Sequence, residues 1–551
     1  MVFVSSQEKR QVRGILHNNL REQVSLSFRI FIEHVMVSFY KSEKKATALK
    51  AIELQCDSLD IQGRGVCKKD GMVYFVDNLM PGEKARVVPV ANNAIAGSLA
   101  SKDKAFAGKV SKLLESSSER RAQSCPLQNQ CGGCPLEHLP QDMSLSAKIE
   151  GVASLLARSV AQGTLSAKST KASNSQGSSR LGRNSTIKQV LAKKQAEAKN
   201  SARMKELNEL SKQAAIAISK PSFCISGSEL NYRRACRLAI RADHGKLYLG
   251  FREGKTQDLV PVSYCEVLTK RNNELLEPLK TLVNNLEGKK NIGHVELLDT
   301  DGAVGVLLRM TKKLSAVDEY ILQDFGRQYA VVVSVLEPFK QLDDTEVVRE
   351  RVIFQDDQHQ LFVMSHDCKI ACSPSSFVQV NGAMNQAMIE QVLAEVDPSA
   401  DKKVLDLFSG LGNFAIPIAK AGAQVVGIDI VSDMVRRAND NAQLNGIDNE
   451  QARFFVADLE EPFESQLWAK DQYDVVVMDP GRMGAKRSVG YMSKLKPHKI
   501  VMISCNPLAA SRDTTALISS GYKLNSWGAI DMFPRTSHVE ILLVFTYDNA
   551  K

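Results

Sequence analysis

The chain reads as a multidomain α/β protein, and three observations point there. Its last third alternates apolar runs, "KKVLDLF", "AQVVGIDI", "ARFFVAD", "YDVVVMDP" and "HKIVMISC", with helix-length segments before closing on "VEILLVFTY". That alternation is the pattern of a doubly wound parallel sheet. Toward the other end, short alternating runs such as "VYFVDNL" and "KARVVPV" are punctuated by Gly63, Gly65, Gly71 and "MPGE", the spacing of a small β-barrel. Between the two, strand-like "RRACRLAIRAD", "KLYLGFRE" and "VGVLLRMT" mix with the helical periodicity of "ELLEPLKTLVNNL", an α+β pattern.

The boundaries follow from these shifts. Residues 1–47 carry no assignable pattern, 48–114 form the barrel, 115–365 the α+β middle, and 366–551 the doubly wound domain. Within the middle, residues 151–221 hold thirteen Lys or Arg against three Glu, more than the whole chain's formal excess of +9. The first half of that stretch is Ser, Gly, Asn and Lys with few apolar residues, too little surface to offset ordering entropy. It predicts a disordered basic insert, with a helix over 186–217. Positive charge gathered in this way favours an anionic partner such as nucleic acid.

The most apolar early stretch, "VSLSFRIFIEHVMVSF", is interrupted by Arg29, Glu33 and His34 and reads neither as a leader nor as a membrane span. Eleven cysteines without a secretory pattern point to reduced thiols in a cytoplasmic protein, available for metal binding or catalysis.

In open parallel sheets, ligands bind beyond the carboxyl ends of the strands. There the sequence sets Asp406, Asp429, Asp458, Asp479 and Cys505, one at each of five successive strands. The first turn, "LDLFSGLGNFAIPIA", contains Gly410 and Gly412 and opens a helix, so backbone can approach a ligand without a Cβ in the way. Asp429, about twenty residues on, can accept from two ribose hydroxyls, or can cap the following "VSDMVRRA" helix. NAD and S-adenosylmethionine both fit this geometry. Position 415 is Ala where the dinucleotide fingerprint has its third glycine, and the short glycine loop with Asp479-Pro480 at the fourth strand selects S-adenosylmethionine.

A thiol at the lip of a core strand has a chemical use. The C5 of uracil is a poor nucleophile, but a thiolate adding at C6 gives C5 carbanion character, so that it can take a methyl group. A base must then remove the C5 proton before the thiolate leaves. Cys505 and Glu540 of "FPRTSHVEILLVF" meet the two requirements. A second group, Cys125, Cys131 and Cys134 in "SCPLQNQCGGCP", has the spacing of a metal site, read either as four-thiolate zinc or as iron–sulfur. Cys265 in "PVSYCEVL" is the candidate fourth ligand, while Cys56, Cys67, Cys224, Cys236, Cys368 and Cys372 read as packed, reduced side chains.

"ISCNP" followed by "RD", "DMFPRTSHVE", "DLFSGLGNF", "DPGRMGAKR" and "SPSSFVQVN" together resemble the RNA uracil-5 methyltransferases, from about Ala48 to the C-terminus apart from the insert. The resemblance implies that Cys505 is the nucleophile and Glu540 the base. It also implies an S-adenosylmethionine site lined by Gln379, Phe408, Asn413, Asp429, Asp458 and Asp479. "DIQGRGVCKKDGMVYFVDNLMPGEKARV" resembles the TRAM domain, an RNA-binding module. The cysteine spacing resembles the large-subunit rRNA branch, which carries a [4Fe-4S] cluster on three close cysteines and a distant one. Barrel and cluster together imply a uridine of 23S rRNA, turned out of its stack, as substrate, with no protein partner implied. Arg64, Lys68 and Lys69 on the barrel, and Arg233, Arg234 and Arg237 in "LNYRRACRLAI", are candidate phosphate contacts. Other readings are uracil methylation at another rRNA or tRNA position, or an RNA-binding scaffold without activity. Two departures stand out: Ser409 replaces the family's common Cys, and Asp429 its frequent Glu, which shortens the carboxylate by one methylene.

Overall fold

The computed structural model describes residues 50–90, 105–173, 205–254, 256, 258–340 and 346–547. Six strands, β1 (Ile52–Gln55), β2 (Ser58–Leu59), β3 (Gly65–Lys69), β4 (Met72–Asp77), β5 (Lys84–Val90) and β6 (Ala105–Glu115), form one sheet in the order β1-β5-β6-β4-β3-β2. Asp70 and Gly71 join β3 to β4 with φ of 53° and 73°, the two left-handed positions of a tight hairpin turn, and Lys69 therefore faces Met72. Alternate residues point inward, giving a small core of Leu54, Cys56, Cys67, Val76, Leu79, Ala85 and Val87.

The middle of the chain builds a seven-stranded sheet from β8 (Ala235–Asp243), β9 (Lys246–Arg252), β10 (Leu259–Pro261), β11 (Ile292–Asp299), β12 (Val304–Met310), β13 (Val331–Lys340) and β14 (Glu346–Phe354), in the order β10-β9-β8-β11-β12-β13-β14. β12 and β13 are parallel, as the intervening helix Ala316–Tyr329 requires, and the remaining pairs are antiparallel. A hairpin of β15 (Phe362–Ser365) and β16 (Cys368–Ala371) leads into the last part.

There, β17 (Lys403–Leu407), β18 (Gln424–Asp429), β19 (Ala452–Val456), β20 (Val475–Met478) and β21 (Lys499–Ser504) run parallel, in the order β19-β18-β17-β20-β21. Val425, Val475, Val477 and Val501 pack on one face while Val426, Val476, Ile500 and Met502 pack on the other. Burial on both faces explains why these strands read as unbroken apolar runs. The sheet then turns antiparallel: β23 (Glu540–Tyr547) lies between β21 and β22 (Tyr522–Ile530).

Two elements from far upstream complete this domain, where the sequence reading had assigned them to the middle. Strand β7 (Phe223–Ile225) pairs parallel to β22 as the eighth strand. Helix α1 (Gln141–Ser173) packs along α2 (Pro507–Ser519), with Ser159 Oγ 2.6 Å from Ser511 Oγ. The expected disordered insert over 151–221 is thus corrected at both ends. Val152, Leu156, Ala157, Ala161 and Leu165 are buried, and a second helix over 205–218 buries Ala214 and Ile218. Average composition concealed an apolar stripe at helical spacing in "GVASLLARSVAQGTL". Residues 174–204, with most of the expected helix over 186–217, lie outside the described residues, as does the 1–47 extension. Among the described residues no helix is long and apolar enough to cross a membrane.

Candidate active site

The turn after β17 is built for close approach. Phe408, Gly410 and Gly412 all take positive φ, at 67°, 54° and 92°. That conformation is uncommon for a non-glycine residue and strained for a bulky one such as Phe408. A Cβ at Gly410 would meet nothing within 4 Å, so the backbone there faces open space. Asp429 holds the turn in shape: its carboxylate accepts from the amides of Gly410 at 3.0 Å and Val431 at 2.8 Å. Each oxygen keeps a lone pair for a further donor. Burial raises the Asp429 carboxyl, and the amide bonds from Val431 and Gly410 oppose the rise.

Asn413 exchanges two hydrogen bonds of 3.0 Å with Asn385, and its carbonyl accepts from Ser365 Oγ at 2.6 Å. Its side chain is therefore fixed. Asp458 caps its own turn through the amide of Glu460 at 2.9 Å. Gln379 Nε2 donates to Asp479 Oδ2 at 3.4 Å, joining the "FVQVN" segment to the end of β20.

Three titratable groups then converge. Cys505 follows β21 directly, and Asn506 caps α2 by accepting from Leu508 at 3.1 Å with Pro507 in the first turn, so the thiol sits at a rigid strand-to-helix elbow. Because β23 runs antiparallel to β21 with Ser504 opposite Ile541, Glu540 stands next to Cys505 across the pair. Burial, then the carboxylates of Glu540 and Asp479, push the Cys505 thiol up to about 11, with Arg482 opposing. Glu540 is raised to about 8 by burial and Asp479, and Asp479 to about 7 by burial. At neutral pH this cluster holds protons, and its members titrate together.

The strand-end reasoning had noted Asp406 without giving it a role. It is fully buried inside β17, and burial followed by Asp479 raises it well above the carboxylate range, so it packs as a neutral acid. Arg482, three residues beyond Asp479, was also missed; its charge acts on both Cys505 and Glu540.

The second cysteine group also assembles. Cys125, Cys131, Cys134 and Cys265 are all partly exposed. Burial raises each of them, and each also feels the charge of at least one other: Cys134, pushed up to about 12, feels Cys265 and then Cys131. Among the described residues, however, no three His, Cys, Asp or Glu come close enough to share one metal ion. The four thiols are near enough to feel one another's charge but are not gathered around a single metal position. Gly132 permits the wrap, since a Cβ there would lie 2.9 Å from Gly254 Cα.

Of the other thiols, Cys56, Cys67, Cys236, Cys368 and Cys372 are buried as expected, whereas Cys224 is exposed on edge strand β7. Most candidate phosphate contacts have partners: Arg64 pairs with Asp60 at 2.6 Å, Arg234 with Asp301 at 3.5 Å and Arg237 with Glu296 at 2.9 Å. Arg233 Nε donates to the Ala235 carbonyl, Lys69 to that of Glu53, and Lys68 is exposed. A cleft of about 300 Å³ beside Asn381 contains Arg234, Arg271, Asp299 and Asp301. Its arginines pair with its aspartates, so it carries no net charge for an anion.

Comparison with known proteins agrees with this geometry. The 23S rRNA (uracil(1939)-C(5))-methyltransferase RlmD of Aeromonas salmonicida is 32% identical over 93% of this chain and 100% of its own length. The RlmD of Shewanella amazonensis is likewise 32% identical over 93% of this chain and 100% of its own. The crystal structure of Pyrococcus abyssi tRNA (uracil-54, C5)-methyltransferase with S-adenosyl-L-homocysteine superposes with a TM-score of 0.59 and 22% identity, covering 90% of this chain and 99% of that one, which establishes the shared fold. The profile described as tRNA (Uracil-5-)-methyltransferase matches residues 197–546, the span that holds both Cys505 and Glu540, and with these relatives it shows that the chain belongs to that family.

Proposed function

We propose that this protein transfers a methyl group from S-adenosylmethionine to C5 of a uridine in 23S rRNA, uridine 1939 being the position named for its relatives. The observation that carries the reading is the pairing of Cys505 with Glu540 across β21 and β23. S-adenosylmethionine supplies a methyl group on a positively charged sulfur. Gln379, Phe408, Asn413, Asp429, Asp458 and Asp479 line its site in this reading, supported by the open backbone at Gly410 and the spare acceptor capacity of Asp429.

Chemistry begins with loss of the thiol proton to Asp479, which leaves the Glu540 carboxylate free to act as the base later. The Cys505 sulfur then bonds to C6, and the C5–C6 π electrons move toward C5 and the C4 oxygen. C5 takes the methyl group as its bond to the donor's sulfur breaks, leaving S-adenosylhomocysteine; Glu540 then takes the C5 proton, the C5–C6 double bond re-forms, and the bond from C6 to the Cys505 sulfur breaks. Burial suits Glu540 to this step, because a base with a pKa near the working pH is the most effective.

The quartet Cys125, Cys131, Cys134 and Cys265 would hold a [4Fe-4S] cluster that ties two chain segments together and takes no part in methyl transfer. Mutual proximity of the four thiols supports this. The six-stranded sheet of residues 52–115 serves, in this reading, as a TRAM-like RNA-binding barrel. The test is methylation of 23S rRNA and of tRNA by purified protein with labelled methyl donor. Label on C5 of one 23S uridine supports the proposal, and label confined to tRNA redirects it to another substrate.

A further inference from the structure

Glu540 is delivered by the nine-residue segment 531–539, which carries no regular strand or helix. Side chains from elsewhere hold this segment at intervals. Lys148 of α1 pairs with Asp531 at 3.0 Å, Asn381 donates to the Met532 carbonyl at 3.2 Å, and the Tyr232 hydroxyl donates to that of Pro534 at 3.2 Å.

The tightest convergence is at Arg535, which is 5% exposed and has a φ of 64°. Its Nη1 donates to Glu266 Oε2 at 2.7 Å and lies 3.9 Å from Glu137 Oε1. Its carbonyl accepts from the amide of Leu136 at 3.0 Å. Each partner belongs to a cysteine-bearing segment. Glu266 follows Cys265, and Leu136 and Glu137 come two and three residues after Cys134. Glu137 Oε1 also accepts from the amide of Cys125 at 2.9 Å. Ser124 Oγ closes the network, lying 2.9 Å from Glu137 Oε1 and 2.8 Å from Glu266 Oε2 with one proton to share between them. One buried guanidinium thus joins the segments of Cys125, Cys134 and Cys265 to the turn that ends, five residues later, at Glu540.

We infer that Arg535 is a positioning residue for proton removal: it transmits the fold of the cysteine segments to the Glu540 carboxylate and holds it against C5 of the bound uracil. The inference rests on Glu540 being the base. Nothing in the network reaches Cys505, so formation of the carbon–sulfur bond and methylation should survive its loss, while release of the methylated ring should stall.

The test uses the full chain with ordinary, unfluorinated 23S rRNA fragment and S-adenosylmethionine, and looks for protein–RNA adduct that survives denaturing electrophoresis. Arg535→Asn suits the left-handed φ, which Asn tolerates better than most residues. It should accumulate adduct, lower kcat by about 10²-fold and leave KM for RNA within about threefold, in keeping with loss of a positioned acid–base group. Arg535→Lys should partly restore turnover and reduce the adduct, because an ammonium can still meet Glu266. Glu266→Gln, which cuts the same link from the other side, should stall to a smaller degree. Glu540→Gln is the control: if it does not accumulate adduct, the base assignment fails. If it does while Arg535→Asn and Glu266→Gln clear adduct like the parent, the inference about Arg535 fails. Loss of adduct in both variants, with the parent's RNA affinity intact, also overturns it, since the defect would then precede methylation.

Discussion

Glu540 is the first residue of an antiparallel strand whose second residue, Ile541, pairs with Ser504, and this register alone brings its carboxyl beside the Cys505 thiol thirty-five positions upstream. Were β23 parallel to β21 like the four strands before it, the same residue would lie at the opposite edge of the sheet, a strand's length from the thiol. The single reversal in the sheet is what makes a two-residue mechanism possible.

Removing either member should give a distinct phenotype. Cys505→Ala should abolish methylation and the covalent adduct formed with 5-fluorouridine RNA while S-adenosylmethionine still binds. Unchanged turnover would remove the nucleophile from the account. Glu540→Gln should lower turnover by roughly 10²–10⁴-fold.

The rate should rise with pH. Cys505, raised to about 11, and Glu540, raised to about 8, both act deprotonated, so acid conditions hold the site in its inactive protonated form. We expect kcat to climb from about pH 6 to about pH 9, with the coupled carboxylates setting an apparent midpoint near 8. A flat single-turnover profile over that range would contradict the proton inventory.

Lys148 and Asp531 form an ion pair that is 0% and 1% exposed, joining α1 to the end of β22. Lys148→Met leaves Asp531 buried without its cation and should cost about 3–5 kcal/mol in denaturant unfolding. Lys148→Met combined with Asp531→Leu should recover most of that loss.

The protein purified without oxygen should carry iron and sulfide with visible absorbance, and Cys265→Ala should lose both. Gly132→Val should lose them too, because its side chain would collide with the Gly254 backbone and spread the cysteine loop. A colourless protein with one bound zinc would reject the cluster.

Deleting residues 160–215 should destabilise the methyltransferase sheet, since it removes Ala214 from the cluster it shares with Trp527, along with the buried Ala161 and Leu165 of α1. Each buried Leu-sized side chain is worth about 1.5–3 kcal/mol, so loss of the stripe should register as a lower midpoint in thermal unfolding. An unchanged midpoint would mean that α1 contributes nothing to the domain it touches.

The parallel part of the domain was legible because its strands are buried on both faces and therefore read as unbroken apolar runs, four of the five closed by a polar residue at the carboxyl edge while Asp406 lies buried inside β17. Cys505, Asp429, Asp479 and the glycine turn could be named from that pattern, and the cysteine spacing singled out Cys125, Cys131 and Cys134. What could not be read was anything joined across long sequence distance. Helix α1 and strand β7 belong to the last domain although they lie more than three hundred residues before the elements they pack on, and a net charge averaged over residues 151–221 hid the apolar stripe of α1. Arg535 had no assignment from sequence; folding buries it between Glu266 and Glu137. Local periodicity and strand-end chemistry depend on neighbours in the chain, so the amino-acid order determined them. Partners of buried charge, the antiparallel register that sets Glu540 against Cys505, and the hydrogen bonds joining the cysteine segments to the turn before Glu540 depend on which surfaces meet, and only tertiary packing decided that.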